Sequence, residues 1–78
     1  MKAHKNLMAF VNAGPLEEGP YRGLFAGKPL YWDSTGSITA ETTDGQRYAL
    51  WPDQAVLYLE ARLAGAETVA IGKHVYVC

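Results

Sequence analysis

The chain is poor in the residues that form covalent cross-links or bind metals. Its 78 residues contain one cysteine, Cys78, so a disulfide within the domain is excluded. The other soft metal ligands are His4 and His74. In an extended strand, His74 and Cys78 would lie roughly 13 Å apart, too far to bind one ion. We therefore expect a domain that folds without a metal or another cofactor, in a reducing, cytoplasmic environment.

Basic charge is also scarce. Seven Lys and Arg residues against eight Asp and Glu residues give a formal net charge of -1, and the basic residues are scattered along the chain. Nucleic-acid binding depends on clustered cations that release counterions from the phosphate backbone. We therefore expect no nucleic-acid partner.

Long apolar runs are missing from the sequence. No segment approaches the ~20 apolar residues that a membrane-spanning helix needs. The run from Leu7 to Val11 is also shorter than the ~7 to 15 residues of a signal-peptide core. Membrane association and export are therefore not expected.

What the sequence does contain is typical of a small globular domain. Hydrophobic residues make up 49 % of the chain and charged residues 19 %, and a chain this short has room for one domain. We predict a single α+β domain over residues 1–78. In it, a mainly antiparallel sheet of four to six strands packs one face on one α-helix, at about residues 52–64.

Local signals define that helix. Pro52 suits a first turn, Asp53 favours the positive end of the helix dipole, and Gly65 is a natural stop. A helical wheel predicts a buried stripe of Val56, Leu59 and Leu63 and an opposite apolar side of Leu57, Ala61 and Ala64. A helix that is apolar nearly all round is usually covered on more than one side. The second cover is either the N-terminal part of this chain or another molecule.

Extended segments are predicted on both sides of the helix. They are Leu7 to Val11, Tyr21 to Ala26, Pro29 to Trp32, Ser37 to Thr43, Gln46 to Trp51, and a terminal stretch from Val69 to Val77 that either runs on or turns at Gly72-Lys73. Gly27-Lys28 suits a hairpin turn. Pro15 to Pro20 is expected to be a loop that leaves Glu17 and Glu18 in solvent.

Asp44-Gly45 is the strongest turn signal, because a two-residue type I′ turn needs positive φ at both positions. Such a turn pairs Thr43 with Gln46 and fixes the register of the hairpin. The register divides the strands into two faces, one with Ile38, Ala40, Ala49 and Trp51 and the other with Thr39, Glu41, Tyr48 and Leu50. The first face is predicted to join the core.

The stretch Asp33-Ser34-Thr35-Gly36 resembles the Asp-Thr-Gly loop of aspartic proteases but has one residue too many. That loop presents two facing carboxylates that share one proton. A turn accounts for the same residues, since Asp at its start bonds its own backbone and Gly adopts the left-handed conformation. We therefore interpret Asp33 as structural.

No other catalytic arrangement is evident in the sequence. It contains no Gly-x-Ser-x-Gly, Cys-x-x-Cys, phosphate-binding glycine loop or His-Glu-x-x-His segment. The adjacent Glu17 and Glu18 are expected to be solvated, so burial would not separate their pKa values. No catalytic, cofactor-binding or metal-binding residue is predicted.

Aromatic residues are more numerous than a core of this size needs. Trp51 and Phe25 are predicted to lie in the core, whereas Tyr31 and Tyr48 are assigned to an outer face. Exposed tyrosines are typical of protein interfaces. The predicted partner-binding residues are Tyr31, Glu41 and Tyr48 on the sheet, or Leu57 and Ala61 on the helix.

Our leading hypothesis is a small non-enzymatic protein-binding module, which binds another protein or self-associates. Small, weakly acidic domains without cofactors are common among the inhibitors that phages and mobile elements direct at host protein complexes. Anti-CRISPR proteins are similar in type, although no motif links them to this chain. Two alternatives stay open. One is a small enzyme or ligand-binding domain with a site between subunits, which needs a concave pocket lined by converging polar groups. The other is a structural subunit of a larger assembly.

Overall fold

The computed structural model describes residues 2–13, 24–25 and 28–78, which form an α+β fold. The elements are α1 (Lys2–Ala13), β1 (Leu24–Phe25), β2 (Lys28–Pro29), β3 (Tyr31–Trp32), β4 (Ile38–Glu41), β5 (Arg47–Ala49), α2 (Pro52–Leu63), β6 (Thr68–Ile71) and β7 (His74–Val77). The strands form a three-stranded antiparallel sheet, β3-β4-β5, and the antiparallel pairs β1-β2 and β6-β7. The predicted class is confirmed, but the described residues form two helices rather than one, and their strands are divided among separate sheets.

The second helix begins where the sequence predicts. Pro52 occupies its first turn, and the Trp51 N–H donates to Oε1 of Gln54 at 3.0 Å, a bond that anchors the chain as it enters the helix. The helix ends at Leu63, one residue before the predicted end. Gly65 follows with a φ of 81°, the left-handed conformation that ends many helices.

The first helix corrects the prediction of a strand at Leu7 to Val11. The whole segment Lys2–Ala13 is helical, and it packs against α2. Leu7 and Val11 are four residues apart, so they lie on one side of the helix, and both are buried in the core. A short apolar run alone does not distinguish a strand from a buried helix, and the contact with α2 favours the helix.

The β1-β2 hairpin differs by one residue from its prediction. Phe25 pairs with Lys28, so Lys28 lies in a strand and cannot belong to a Gly27-Lys28 turn. The connecting residues 26–27 lie outside the described residues. So do the predicted loop from Pro15 to Pro20, with Glu17 and Glu18, and most of the predicted strand from Tyr21 to Ala26.

The β4-β5 hairpin is shifted by one residue from the predicted register. Thr39 pairs with Ala49, and Glu41 pairs with Arg47. A three-residue loop, residues 43–45, therefore replaces the predicted two-residue turn.

The side chain of Thr42 explains the longer loop. Its hydroxyl accepts a hydrogen bond from the Gln46 N–H at 3.0 Å and donates one to the carboxylate of Asp44. Gly45, with a φ of 92°, takes the left-handed position that ends a three-residue hairpin loop. Two side-chain hydrogen bonds thus favour a loop that the dipeptide signal did not indicate.

The shift of one residue reverses the predicted sides of β5. Leu50, predicted to face outward, is 3 % exposed, whereas Trp51, predicted to lie in the core, is 73 % exposed. Ala49, also assigned to the core face, is exposed. Tyr48 pairs with the buried Ala40, so it lies on the core side of the sheet even though its ring is partly exposed.

The terminal residues form a hairpin, one of the two predicted arrangements. Ile71 pairs with His74 across the Gly72-Lys73 turn, and Gly72 has a φ of 62°. Positive φ at the first turn position is compatible with the tight turns that join paired strands.

The terminal hairpin also lies beside the end of β4. Thr42 forms an isolated antiparallel bridge with Tyr76, and the Thr43 N–H donates to the Val75 carbonyl at 3.0 Å. Strand β7 therefore continues the surface of the three-stranded sheet.

The buried stripe of α2 differs from its prediction at one position. Val56 and Leu59 are fully buried as predicted, whereas Leu63 is 56 % exposed. Tyr58 is buried instead, because its hydroxyl donates to the Val77 carbonyl at 3.0 Å, which satisfies its polar end. The core joins these residues to Leu7, Val11, Leu30, Trp32, Ile38, Ala40, Leu50, Ala55, Ile71, Tyr76 and Cys78, with Phe25 half-buried against it.

Candidate functional site

The outer side of the sheet faces solvent. Tyr31 pairs with Thr39 and Thr39 with Ala49, while Glu41 pairs with Arg47. Directly paired residues of antiparallel strands share a face. Tyr31, Glu41, Arg47 and Ala49 are exposed and Thr39 is half-buried.

Strand β7 extends this outer side. Thr42 and Tyr76 are bridged and both are buried, so their neighbours Glu41 and Val77 lie next to each other on the outer side. Val77 is 44 % exposed. We use the name open sheet face for Tyr31, Thr39, Glu41, Arg47, Ala49 and Val77.

Arg47 connects the polar residues of the open sheet face. Its guanidinium carbon lies over the Tyr31 ring, 5.0 Å from the centroid. Its Nη1 donates to the carbonyl and the hydroxyl of Thr39 at 3.3 and 3.2 Å, and its Nη2 lies 3.8 Å from Oε1 of Glu41. The guanidinium is thus held over the tyrosine ring on an exposed surface, where a cation–π contact stabilises by about 0.5–1 kcal/mol.

A cleft of about 210 Å³ borders the open sheet face. We call it the basic cleft, and its described lining residues are Lys28, Pro29, Tyr31, Thr39, Glu41, Arg47, Tyr58, Arg62, Val77 and Cys78. They come from β2, β3, β4, β5, α2 and β7 and from the residue after β7. The cleft is therefore a product of tertiary structure, and it is a pocket that the sequence did not reveal.

Arg62 joins α2 to the β1-β2 hairpin at this cleft. Its Nη1 donates to the carbonyls of Phe25 and Lys28, both at 3.3 Å. Its Nη2 donates to the Pro29 carbonyl at 2.8 Å and to the Tyr58 hydroxyl at 3.1 Å. Its Nε is buried and has no acceptor among the described residues. Arg62 thus supplies a positive charge that is fixed in place.

Cys78 lies buried in the wall of the cleft. Burial raises the pKa of its thiol, and the charges of Arg62 and Lys28 act in the opposite direction. The thiolate is the nucleophilic form of cysteine. A thiol with a raised pKa is protonated at neutral pH, so the environment of Cys78 does not activate it.

Asp33 is bonded within its own turn. Its Oδ1 accepts hydrogen bonds from the hydroxyl of Thr35 at 2.6 Å, the N–H of Thr35 at 2.9 Å and the N–H of Ser37 at 2.9 Å. The Thr35 hydroxyl and then the Ser37 N–H lower the pKa of Asp33. Gly36 has a φ of 87°. The predicted turn is confirmed, and it accounts for the whole Asp-Ser-Thr-Gly stretch.

The predicted partner-binding residues of the sheet lie on two different sides. Tyr31 and Glu41 share the open sheet face. Tyr48 lies on the other side, where its ring stacks on His74 with centroids 4.5 Å apart. The register shift separates Tyr48 from Glu41, which the sequence had predicted to lie on the same face.

The predicted helix surface is reduced to one residue. Leu57 is 48 % exposed, but Ala61 is half-buried and packs against the core. Sequence reasoning also missed Arg47, Arg62 and Lys28. Only the correct hairpin register would have placed Arg47 beside Glu41, and no local pattern indicates the other two.

Within the described part of the chain, no helix combines the length and the apolarity needed to cross a bilayer. Among the described side chains, which do not include His4, no three His, Cys, Asp or Glu residues are grouped so that they could bind a metal ion. Comparisons with protein-family models, curated proteins and solved structures found no match. The functional inference therefore depends on the geometry of the open sheet face and the basic cleft.

Proposed function

We propose that this chain is a small, non-enzymatic protein-binding module whose partner docks on the open sheet face. The observation that supports this proposal is the exposed stack of Arg47 on Tyr31. Tyrosine and arginine are enriched among the residues that dominate the energy of protein interfaces. Hydrogen bonds to Thr39 already hold the arginine in place, so docking would cost less side-chain entropy.

An apolar area beside the stack supports the same surface. Val75 and Val77 are 43 % and 44 % exposed. Their cross-strand partners on β6, Ala70 and Thr68, are exposed as well. Interfaces combine an apolar centre with a polar rim, and this uncharged area next to Arg47 provides both. A second copy of the chain is one partner that such a surface could accept.

The sheet is favoured over the helix as the docking surface. Of the two helix residues predicted to bind a partner, Ala61 is half-buried and Leu57 is exposed. The other exposed leucine of α2, Leu63, lies six positions away and so on a different side of the helix. Exposed leucines that stand apart are ordinary on a protein surface and do not indicate an interface.

Affinity capture from a native lysate tests the proposal. The baits are the full chain, a Tyr31→Ala/Arg47→Ala double variant, and a Lys73→Ala control in the exposed β6-β7 turn. We expect the same proteins to be retained by the wild type and the control and to be lost from the double variant. Size-exclusion chromatography with light scattering identifies a partner that is a second copy. Equal retention by all three baits would contradict docking on the open sheet face.

A domain that binds a small anion is a second candidate, because three cationic side chains, Lys28, Arg47 and Arg62, line the basic cleft. Calorimetric titration of the full chain with inorganic phosphate and with citrate tests this alternative. The second candidate would be favoured over the first by two results together. One is tight, saturable binding of either anion, and the other is that the wild-type bait captures no protein.

A further inference from the structure

We infer that the basic cleft receives an acidic side chain, an aspartate or a glutamate, of the protein that docks on the open sheet face. This inference rests on the proposed function, since it gives the chemistry of the docked partner. The cleft and the open sheet face share Tyr31, Thr39, Glu41, Arg47 and Val77, so a partner that covers the face also closes the cleft.

The distribution of charge supports an acidic partner. The chain has seven basic and eight acidic side chains. Three of the basic ones, Lys28, Arg47 and Arg62, line this cleft, whereas Glu41 is the acidic side chain among its described lining. A weakly acidic chain thus concentrates positive charge at one pocket. Charge complementarity of this kind steers a partner and determines its orientation.

Lys28 has donors to offer an incoming carboxylate. Its side chain is exposed, and its Nζ donates to the backbone oxygen of Cys78 at 3.4 Å. An ammonium group carries three protons, and this long bond uses one of them. The remaining protons can bond a carboxylate without breaking a contact within the cleft.

Arg47 has a weak partner that a better one can replace. Its Nη2 lies 3.8 Å from Glu41, and both side chains are exposed. An exposed pair at that separation stabilises by less than about 1 kcal/mol. A partner carboxylate shielded from water by docking would interact more strongly. Glu41 is therefore an internal competitor for the proposed ligand.

Arg62 and the apolar walls complete the pocket. The charge of Arg62 is fixed by bonds to carbonyl groups and to Tyr58. It therefore attracts an anion without needing to move. Pro29 and Val77 supply apolar contact for the carbon atoms of the acidic side chain.

NMR titration of the full ¹⁵N-labelled chain at low salt tests the inference. The probes are a blocked tetraglutamate peptide, the matching tetraglutamine peptide and inorganic phosphate. We expect saturable shifts with tetraglutamate that centre on the amides of Lys28, Arg47 and Val77. Tetraglutamine should cause no comparable shifts, and phosphate should bind more weakly than tetraglutamate.

Three variants locate the binding. Lys28→Gln should weaken tetraglutamate binding about two- to fivefold, the range that an exposed ion pair provides. Glu41→Gln should strengthen it, because it frees Arg47 from its competitor. Lys73→Gln removes the same charge from the β6-β7 turn and should leave the dissociation constant unchanged.

Two results would overturn the inference. One is equal binding of tetraglutamine, or shifts that lie away from the cleft. The other is phosphate binding as tight as that of tetraglutamate, which would assign the cleft to a small anion. If the capture of lysate proteins requires Tyr31 and Arg47 but tetraglutamate does not bind, the docking surface stands, and the inference that the partner inserts an acidic side chain is wrong. If tetraglutamate binds but no protein or second copy is found, the proposed function fails and the inferred docking fails with it.

Discussion

The guanidinium of Arg62 donates to the carbonyl of Pro29 at 2.8 Å, and this bond ties the last turns of α2 to β2. Further bonds from the same guanidinium reach the carbonyls of Lys28 and Phe25. Because β2 carries Lys28, these bonds also set the position of one wall of the basic cleft. The residue that anchors the hairpin is thus the residue that contributes fixed charge to the candidate site.

Replacing Arg62 should destabilise the fold. Arg62→Ala leaves three backbone carbonyls and the Tyr58 hydroxyl without their donor, and we expect a loss of about 2–4 kcal/mol in the free energy of unfolding. Urea denaturation followed by circular dichroism measures it. Arg47→Ala, which removes an exposed guanidinium, should cost less than about 1 kcal/mol. Equal losses would show that Arg62 does not act as an anchor.

The Asp33 turn should make stability depend on pH. Hydrogen bonds from Thr35 and Ser37 lower the pKa of Asp33 from its usual 3.8. The ionised Asp33 carboxylate therefore stabilises the folded protein fully above pH 3.8, its usual pKa. This stabilisation is lost as the pH falls through the lower pKa that Asp33 has in the folded protein.

Asp33→Asn tests this sign. The wild type should be more stable than the variant above about pH 4, and the difference should shrink as the solution becomes more acidic. The midpoints of urea denaturation, measured for both proteins from neutral to strongly acidic pH, give this difference in stability. Ser34→Ala, at a neighbouring position without a titrating group, should differ from the wild type by an amount that does not change with pH. A difference for Asp33→Asn that grows in acid would contradict the argument.

Two leucines of α2 should respond in opposite ways. Leu59 is fully buried and Leu57 is 48 % exposed. Leu59→Ala leaves a cavity and should cost about 2–5 kcal/mol, whereas Leu57→Ala should cost less than about 1 kcal/mol. Thermal and urea unfolding compare them directly. If Leu57→Ala proves as costly, Leu57 contacts more of the chain than its exposure indicates.

The two tryptophans report the register of the β4-β5 hairpin. Trp51 is 73 % exposed and Trp32 is 9 % exposed. Trp51→Phe should leave a fluorescence that acrylamide quenches poorly, and its unfolding free energy should change by no more than about 0.5 kcal/mol. Trp32→Phe should leave an emission that is shifted to longer wavelength and strongly quenched. Similar quenching of both variants would favour the two-residue turn that the sequence predicted.

Elements with local signals were predictable. The start of α2 follows from Pro52 and Asp53, and its end from Gly65, because these residues act through the backbone within one turn. The Asp33 turn is similar, since its donors lie two and four residues away. The terminal hairpin was predicted as one of two options.

Elements that depend on distant contacts were not predictable. The run from Leu7 to Val11 fits a strand or a helix, and packing on α2 favours the helix. The β4-β5 register was also missed, because the Thr42 hydroxyl accepts a hydrogen bond from Gln46 and donates one to Asp44, and these bonds favour a longer loop than Asp44-Gly45 indicated. That change moved Leu50 into the core and Tyr48 to the side opposite Glu41.

The sequence by itself determined the α+β class, the start of α2 and the turn at Asp33, since capping residues and left-handed glycines act over a few neighbouring residues. Only the tertiary structure decided which side chains meet. Lys28, Arg47 and Arg62 are separated in the chain, and they surround one cleft because strand pairing and helix packing bring their elements together. The physical reason is that the register of two paired strands determines which residues are cross-strand neighbours. One extra residue in the loop gives every residue of the strand a different neighbour.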